Sequence, residues 1–296
     1  MLDQAEQLRK LMRTIPADKP SSSVIKANHS RSRVITVTSG KGGVGKTNFT
    51  VNLALGLANL GQKVLIVDAD LGMGNVDIVL GCSAPYHILH LLEGGFSLAD
   101  IISEGPCGVK FMSGGSGIYG LANLNDVQLA KIIDQLSLLD DLVDIILIDT
   151  GAGIHKSVMN FVAAANEVVI VTTPEPTAIT DAYAMVKTYT SYSQNAVVHL
   201  VVNRISEVDE GNLTAEKLIK ASQKFLNFSI NNLGFIYEDH NLVKAVKKQT
   251  PLLLAFPDTA SARCINQIAA CLLYGGKIEH KKGIRGVFNR FLELIR

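Results

Sequence analysis

The chain has 296 residues, 47% of them hydrophobic, and a formal net charge of +1. That is enough apolar length to bury the core of one large α/β domain with appendages, and near-neutrality excludes a global field aimed at DNA or another polyanion. The four cysteines (Cys82, Cys107, Cys264 and Cys271) lack C-x-x-C spacing, so they read as buried or free thiols of a reducing cytosol, not as disulfides or an iron–sulfur cluster.

The first residues, with Asp3 and Glu6 and no apolar run, are not expected to form a secretory signal, and no stretch reaches transmembrane length. Residues 3–13 predict a short helix with Ala5, Leu8, Leu11 and Met12 on one stripe. Three turns are too few to be stable alone in water, so this arm is expected to order against its own domain or against another protein. Residues 15–32, with Pro16, Pro20 and a serine run, have linker chemistry.

From Arg33 to about Gly276, strands and helices alternate. Strands are expected at Val34–Thr38, Val64–Val67, Val109–Met112, Ile145–Ile148, Val168–Thr172, Val197–Val202 and Leu233–Ile236. Helices are expected at Asn48–Leu60, Val127–Leu139, Thr180–Tyr192, Ala215–Leu226 and Ser261–Leu273. Near-continuous Val/Ile/Leu strands between helices predict an α/β fold, a mostly parallel twisted sheet covered on both faces.

The first strand runs into Gly40-Lys41-Gly42-Gly43-Val44-Gly45-Lys46-Thr47, and a helix beginning near Asn48 follows. Strand, glycine-rich turn and helix is the context of a phosphate-binding P-loop. Glycines let backbone N–H groups curl around phosphate oxygens, and the helix N-terminus favours negative charge. Lys46 is placed to reach the β- and γ-phosphates and the Thr47 hydroxyl to ligate Mg²⁺. The second strand delivers Asp68-Ala69-Asp70 and then Leu71-Gly72-Met73-Gly74; Asp68 reads as a supporting residue near the P-loop. Strand Ile145–Ile148 delivers Asp149, expected to hold Mg²⁺ through water, and then Gly151 and Gly153, which let a loop respond to the γ-phosphate. Strand Val197–Val202 ends in Asn203-Arg204, and Tyr237, Glu238 and Asp239 follow the next strand, all at the carboxyl ends of strands, where open sheets bind ligands. No N-K-x-D sequence of a GTPase is present, which favours ATP. His87 and His90 share helical spacing without companion ligands and predict no metal site.

Residues 277–296 form a separate segment. Ile284, Val287, Phe288, Phe291, Leu292 and Ile295 fall on one helical face, with Lys281, Lys282, Arg285, Arg290 and Arg296 around it. A basic amphipathic helix of this kind predicts reversible attachment to an anionic membrane surface; packing on the core is the other expectation.

Together, Lys-Gly-Gly-x-Gly-Lys-Thr, the Asp68–Asp70 segment and the Asp149 strand resemble the MinD/ParA family of deviant Walker A ATPases. The resemblance covers residues 33–276. It implies ATP and Mg²⁺ as ligands, a nucleotide-dependent homodimer, Lys41 crossing to the partner's phosphates, Asp70 orienting the attacking water, and Asn203 contacting adenine. Slow, dimerisation-dependent hydrolysis follows from the same likeness. The arm Asp3-Gln4-Ala5-x-x-Leu8-Arg9 is similar to that of the FlhG group of flagellar number regulators within the family. It implies that Gln4, Leu8 and Arg9 engage the signal-recognition-type GTPase FlhF, with flagellar switch-complex proteins as further partners. The implied organisation is an activating arm (1–14), a linker (15–32), an ATPase domain (33–276) and a membrane-targeting helix (277–296). The expected location is the cytoplasm, with reversible attachment to the inner face of the membrane. A MinD-type division-site ATPase and an ATP-binding scaffold without turnover are the alternatives.

Overall fold

The computed structural model describes residues 32–70, 74–114, 120–193, 196–275 and 283–295. The expected arm and nearly all of the expected linker lie outside the described residues, as do Leu71, Gly72, Met73, Lys281, Lys282 and Arg296.

Among the described residues one sheet of eight strands organises the chain, in the order β3-β4-β2-β5-β1-β6-β7-β8. The strands are β1 (Arg33–Ser39), β2 (Val64–Ala69), β3 (Ser103–Glu104), β4 (Lys110–Ser113), β5 (Ile145–Ala152), β6 (Glu167–Thr172), β7 (Val197–Ile205) and β8 (Asn231–Tyr237). All pairings are parallel except β3 with β4. Every residue of β1, β2 and β6 is buried, as expected of strands covered on both faces.

The helices are α1 (Lys46–Asn59), α2 (Val76–Leu80), α3 (Leu98–Ile101), α4 (Asp126–Ser137), α5 (Leu139–Leu142), α6 (Lys156–Ala164), α7 (Pro176–Tyr192), α8 (Val208–Leu226), α9 (His240–Lys247), α10 (Leu252–Ala255), α11 (Ala260–Tyr274) and α12 (Gly283–Ile295). One apolar cluster packs α1, α2, α10 and α11 on the sheet; two others gather α4, α6 and α12, and α6, α7 and α8. Helix α4 starts where Asn125 and Gln128 cap each other's backbone N–H groups. The expected helix to Leu139 instead breaks at Leu138, and α5 follows as a separate turn.

The pole of the sheet away from the carboxyl ends of β1 and β6 is fastened by a buried charge cluster. Arg33 Nε and Nη2 donate to Glu167, and its Nη1 donates to the Leu272 carbonyl at 2.6 Å. Burial pushes the Glu167 carboxyl up, but the guanidinium and His199 overcome it and hold it below the usual range.

The last helix takes the second of the two arrangements expected for it, packed on the core. Ile284, Val287, Phe288, Phe291 and Leu292 are buried, Ile295 is half-buried, and the Phe291 and Phe161 rings stack at 4.1 Å. The periodic apolar face is real, but the groove between α4 and α6 takes it. The Ile284 N–H donates to Asp140 Oδ1 of α5 at 3.0 Å, so a neighbouring element caps the helix. The Ser32 hydroxyl donates to the same carboxylate oxygen. Among the described residues no helix is long and apolar enough to cross a membrane.

Candidate nucleotide site

The carboxyl ends of β1, β2 and β5 converge, and the turn between β1 and α1 closes over them. Gly45, at φ 90°, makes the left-handed step that sets the first turn of α1. A Cβ there would come within 2.5 Å of Asn203 Nδ2, so the loop and the end of β7 need this glycine to approach each other. Asn203 Nδ2 donates to the Val44 carbonyl at 2.8 Å. In this structure the Asn203 amide therefore braces the P-loop from the end of β7.

Asp149 lies at the centre. Its carboxylate is buried and accepts from Thr47 Oγ1 at 2.7 Å and from Thr50 Oγ1 at 3.0 Å, with Lys46 Nζ at 3.2 Å. Lys46 balances the buried negative charge, as a buried carboxylate requires. Thr50 was not singled out from the sequence, although four residues after Lys46 it shares that helical face. A hydroxyl and a carboxylate at this separation beside an ammonium group form a donor set suited to a hard cation and phosphate oxygens. Thr47 and Asp149 would hold Mg²⁺, and Lys46 would hold phosphate.

Asp68 and Asp149 are register partners on β2 and β5. Burial first, and the nearby Asp149 charge second, push the Asp68 carboxyl up to about 6. Asp68 Oδ1 accepts from the Asp70 N–H at 3.1 Å and Oδ2 from the Val76 N–H at 3.2 Å. One carboxylate thus fastens both flanks of the segment between β2 and α2. Gly74 lies over it, since a Cβ there would reach 2.7 Å from Asp68 Oδ2. Asp70 stands next to the β5 loop: a Cβ on Gly151 would lie 3.4 Å from Asp70 Oδ1. The structure therefore brings Lys46, Thr47, Asp70, Asp149 and Gly151 to one place.

Lys41 is partly exposed at the rim. Its Nζ donates to Glu175 Oε2 at 2.7 Å and Thr177 Oγ1 at 2.9 Å, at the start of α7. The Lys41 hydrogen bond and charge hold the Glu175 carboxyl below its usual range. In this single chain Lys41 is engaged within its own subunit.

Beyond Gly45 a cavity of about 240 Å³ opens, lined among others by Asn48, Asn52, Asn203, Arg204, Tyr237 and Glu238. Asn48 Oδ1 is buried without a hydrogen-bond partner. Arg204 takes φ 61° where the β7–β8 register shifts. Asp239, also in the lining, accepts from the Ser261 hydroxyl and the Asn241 N–H, which outweigh burial and keep its carboxyl low. Of the polar lining, Asn52 and Ser261 escaped the sequence reading because each sits inside a helix, Asn52 one turn past the P-loop and Ser261 far along the chain, with no motif to mark it. The described residues contain no metal-binding group of three or more His, Cys, Asp or Glu, and the His87 and His90 rings meet at a tilt of 57° with centroids 4.1 Å apart.

A mostly parallel sheet with a P-loop after an inner strand and an aspartate near the carboxyl end of the adjoining strand defines a P-loop NTPase, and the extra lysine in the loop narrows the class. A ParA family model, described as NUBPL iron-transfer P-loop NTPase, matches residues 30–273. The antiactivator FleN of Pseudomonas aeruginosa is 40% identical over 237 residues, 80% of this chain and 85% of FleN. The flagellum site-determining protein YlxH of Helicobacter pylori is 36% identical over 274 residues, 90% of this chain and 92% of YlxH. Among solved structures, the MinC:MinD cell division protein complex of Aquifex aeolicus aligns with 29% identity and a TM-score of 0.66, over 85% of this chain and 100% of that one. The chain belongs to the ParA/MinD family of P-loop ATPases, with FleN and YlxH among its relatives.

Proposed function

We propose that the chain is an ATP-hydrolysing, dimerising switch that regulates the number or placement of flagella. The Asp149 cluster supports the reading most directly, because it gathers the residues a P-loop ATPase needs at the carboxyl ends of parallel strands. The likeness to FleN and YlxH supports the flagellar assignment.

Bound Mg²⁺ would supply positive charge against the phosphates. The chain's own residues do the rest. Lys46 turns from Asp149 toward the phosphates. Thr47 and Asp149, which share a hydrogen bond here, would hold the cation, Asp149 through water. Asp70, fastened through its N–H to Asp68, holds the attacking water in line. The base enters the cavity beside Asn48, whose unpartnered Oδ1 accepts from an amino group such as that of adenine; Asn203 and Arg204 border it. Lys41 leaves Glu175 and supplies positive charge to the facing subunit's phosphates, where charge spreads in the transition state. Closing the dimer would favour release of α12 to an anionic membrane and offer Gln4, Leu8 and Arg9 to FlhF.

The test is GTP turnover by FlhF with the full-length protein and ATP. Stimulation is expected, and Gln4→Ala or Arg9→Ala should remove it while ATP turnover persists. No stimulation by the intact protein would sink the FlhF assignment.

A further inference from the structure

Helices α4 and α12 do not meet along their whole length. Between them lies an open groove of about 350 Å³ with Leu129, Ile133 and Leu292 on its floor and Asp126, Asn289 and Glu293 among its walls. Val127, one turn before Ala130 of the groove, is 80% exposed. The seam is held on the outside by the Arg285–Asp134 pair at 3.3 Å. An apolar floor between carboxylates calls for an apolar stripe flanked by positive charge.

The chain supplies such a segment. Residues 1–14 place Ala5, Leu8 and Met12 at helical spacing, with Arg9, Lys10 and Arg13 beside them. The tether starts close to the groove, because the first described residue, Ser32, is bound to Asp140 of α5, directly after α4. A twelve-residue helix such as α4 is about 18 Å long. A coil of the length of 15–31 spans on average roughly 20–25 Å. The whole groove lies within that mean reach, which gives the arm an effective concentration on the order of millimolar. Another exposed apolar patch, Val243, Val246 and Leu254, is interleaved with Lys244, Lys247 and Lys248 and would repel Arg9, Lys10 and Arg13 of the arm. Its helices also pack with the cluster of α1 and α11, not with that of α4 and α12.

We propose that residues 1–14 dock as a short amphipathic helix in the α4–α12 groove of the same chain. The docked arm closes the seam and adds a second hold on α12. On the reading given above, in which Leu8 and Arg9 engage a partner, that partner must lift the arm from the groove and thereby loosen α12. Docking itself does not depend on that reading.

The experiment is hydrogen–deuterium exchange on the full-length, nucleotide-free protein, comparing wild type with Leu8→Glu/Leu11→Glu. Exchange in residues 126–137 and 283–295 should quicken about three- to ten-fold, with the rest unchanged. Ala130→Arg, at an exposed position, should do the same, and combining the changes should add nothing further. Unchanged exchange at 126–137 and 283–295 in the arm variant overturns the proposal. So does a wild-type protection that fades on dilution, which would place the arm on a second copy. Loss of protection at 240–255 instead would place it on the lysine surface. FlhF stimulation is read separately, so its failure leaves this result intact.

Discussion

At Asp68 two requirements conflict. Its carboxylate must be buried to hold the N–H groups of Asp70 and Val76, yet it lies across from Asp149 on the adjoining strand. The result is a carboxyl raised from 3.8 to about 6. An acid whose folded value exceeds its unfolded value leaves stability intact below the unfolded value and removes it as pH rises through the folded one. In the nucleotide-free, metal-free protein this group should cost on the order of 1–3 kcal/mol at pH 7, a cost that vanishes between about pH 6 and pH 4. Asp68→Asn should flatten the pH dependence of the denaturation midpoint in that window, less one lost acceptor for a backbone N–H. Urea melts at pH 4.5, 5.5 and 7 would show it; an unchanged pH slope in the variant would refute the assignment. The sequence placed Asp68 beside the P-loop because it ends a strand. It could not show that β5 continues through Asp149 to Ala152, which makes the two aspartates register partners.

Elements with strong periodicity were legible. The expected parallel strands lie where Val, Ile and Leu runs occur, since burial on both faces leaves no room for polar alternation. Strand β3 was not legible, being two residues that add to the edge by backbone pairing with β4. Helix α8 begins at Val208, seven residues before the expected start, because its first turns are polar and exposed, and only Gly211 and Thr214 are buried there. Periodicity in α12 correctly gave an amphipathic helix but not what covers it. Burial of its large apolar side chains contributes roughly 1.5–3 kcal/mol each, so release needs a comparable apolar surface. Asp140 is the polar part of that seat, holding both Ile284 N–H and Ser32. Asp140→Ala should lower stability by about 1 kcal/mol through the lost cap. It should also raise binding to anionic vesicles without nucleotide, and deleting 283–296 should abolish that gain. If Asp140→Ala melts earlier while vesicle binding stays at the wild-type level, the carboxylate is a structural cap with no part in release.

At the scale of the whole molecule the question is which subunit's lysine serves which site. In one chain Lys41 is held by Glu175 and Thr177, on the rim and away from Asp149, while Lys46 already occupies the position inside. Nothing in the fold requires a second lysine within the same site, whereas a rim lysine can swing outward at small cost because its ion pair is exposed and weak. Two inactive variants can decide between the arrangements. Lys41→Ala keeps its own Asp70, and Asp70→Ala keeps its own Lys41. If Lys41 acts across the interface, a mixed dimer has one complete site, formed by Asp70 of the first variant and Lys41 of the second. Equal mixing makes about half of the dimers mixed, each with one of two sites working, so ATP turnover should recover to about a quarter of wild type. If Lys41 acts within its own chain, each site of the mixed dimer lacks one residue and no turnover returns. Recovery would require that the ATPase be a dimer whose active sites are completed in trans, and that ATP binding draw Lys41 from Glu175; continued silence, with both variants still binding ATP and forming dimers, would confine Lys41 to its own subunit.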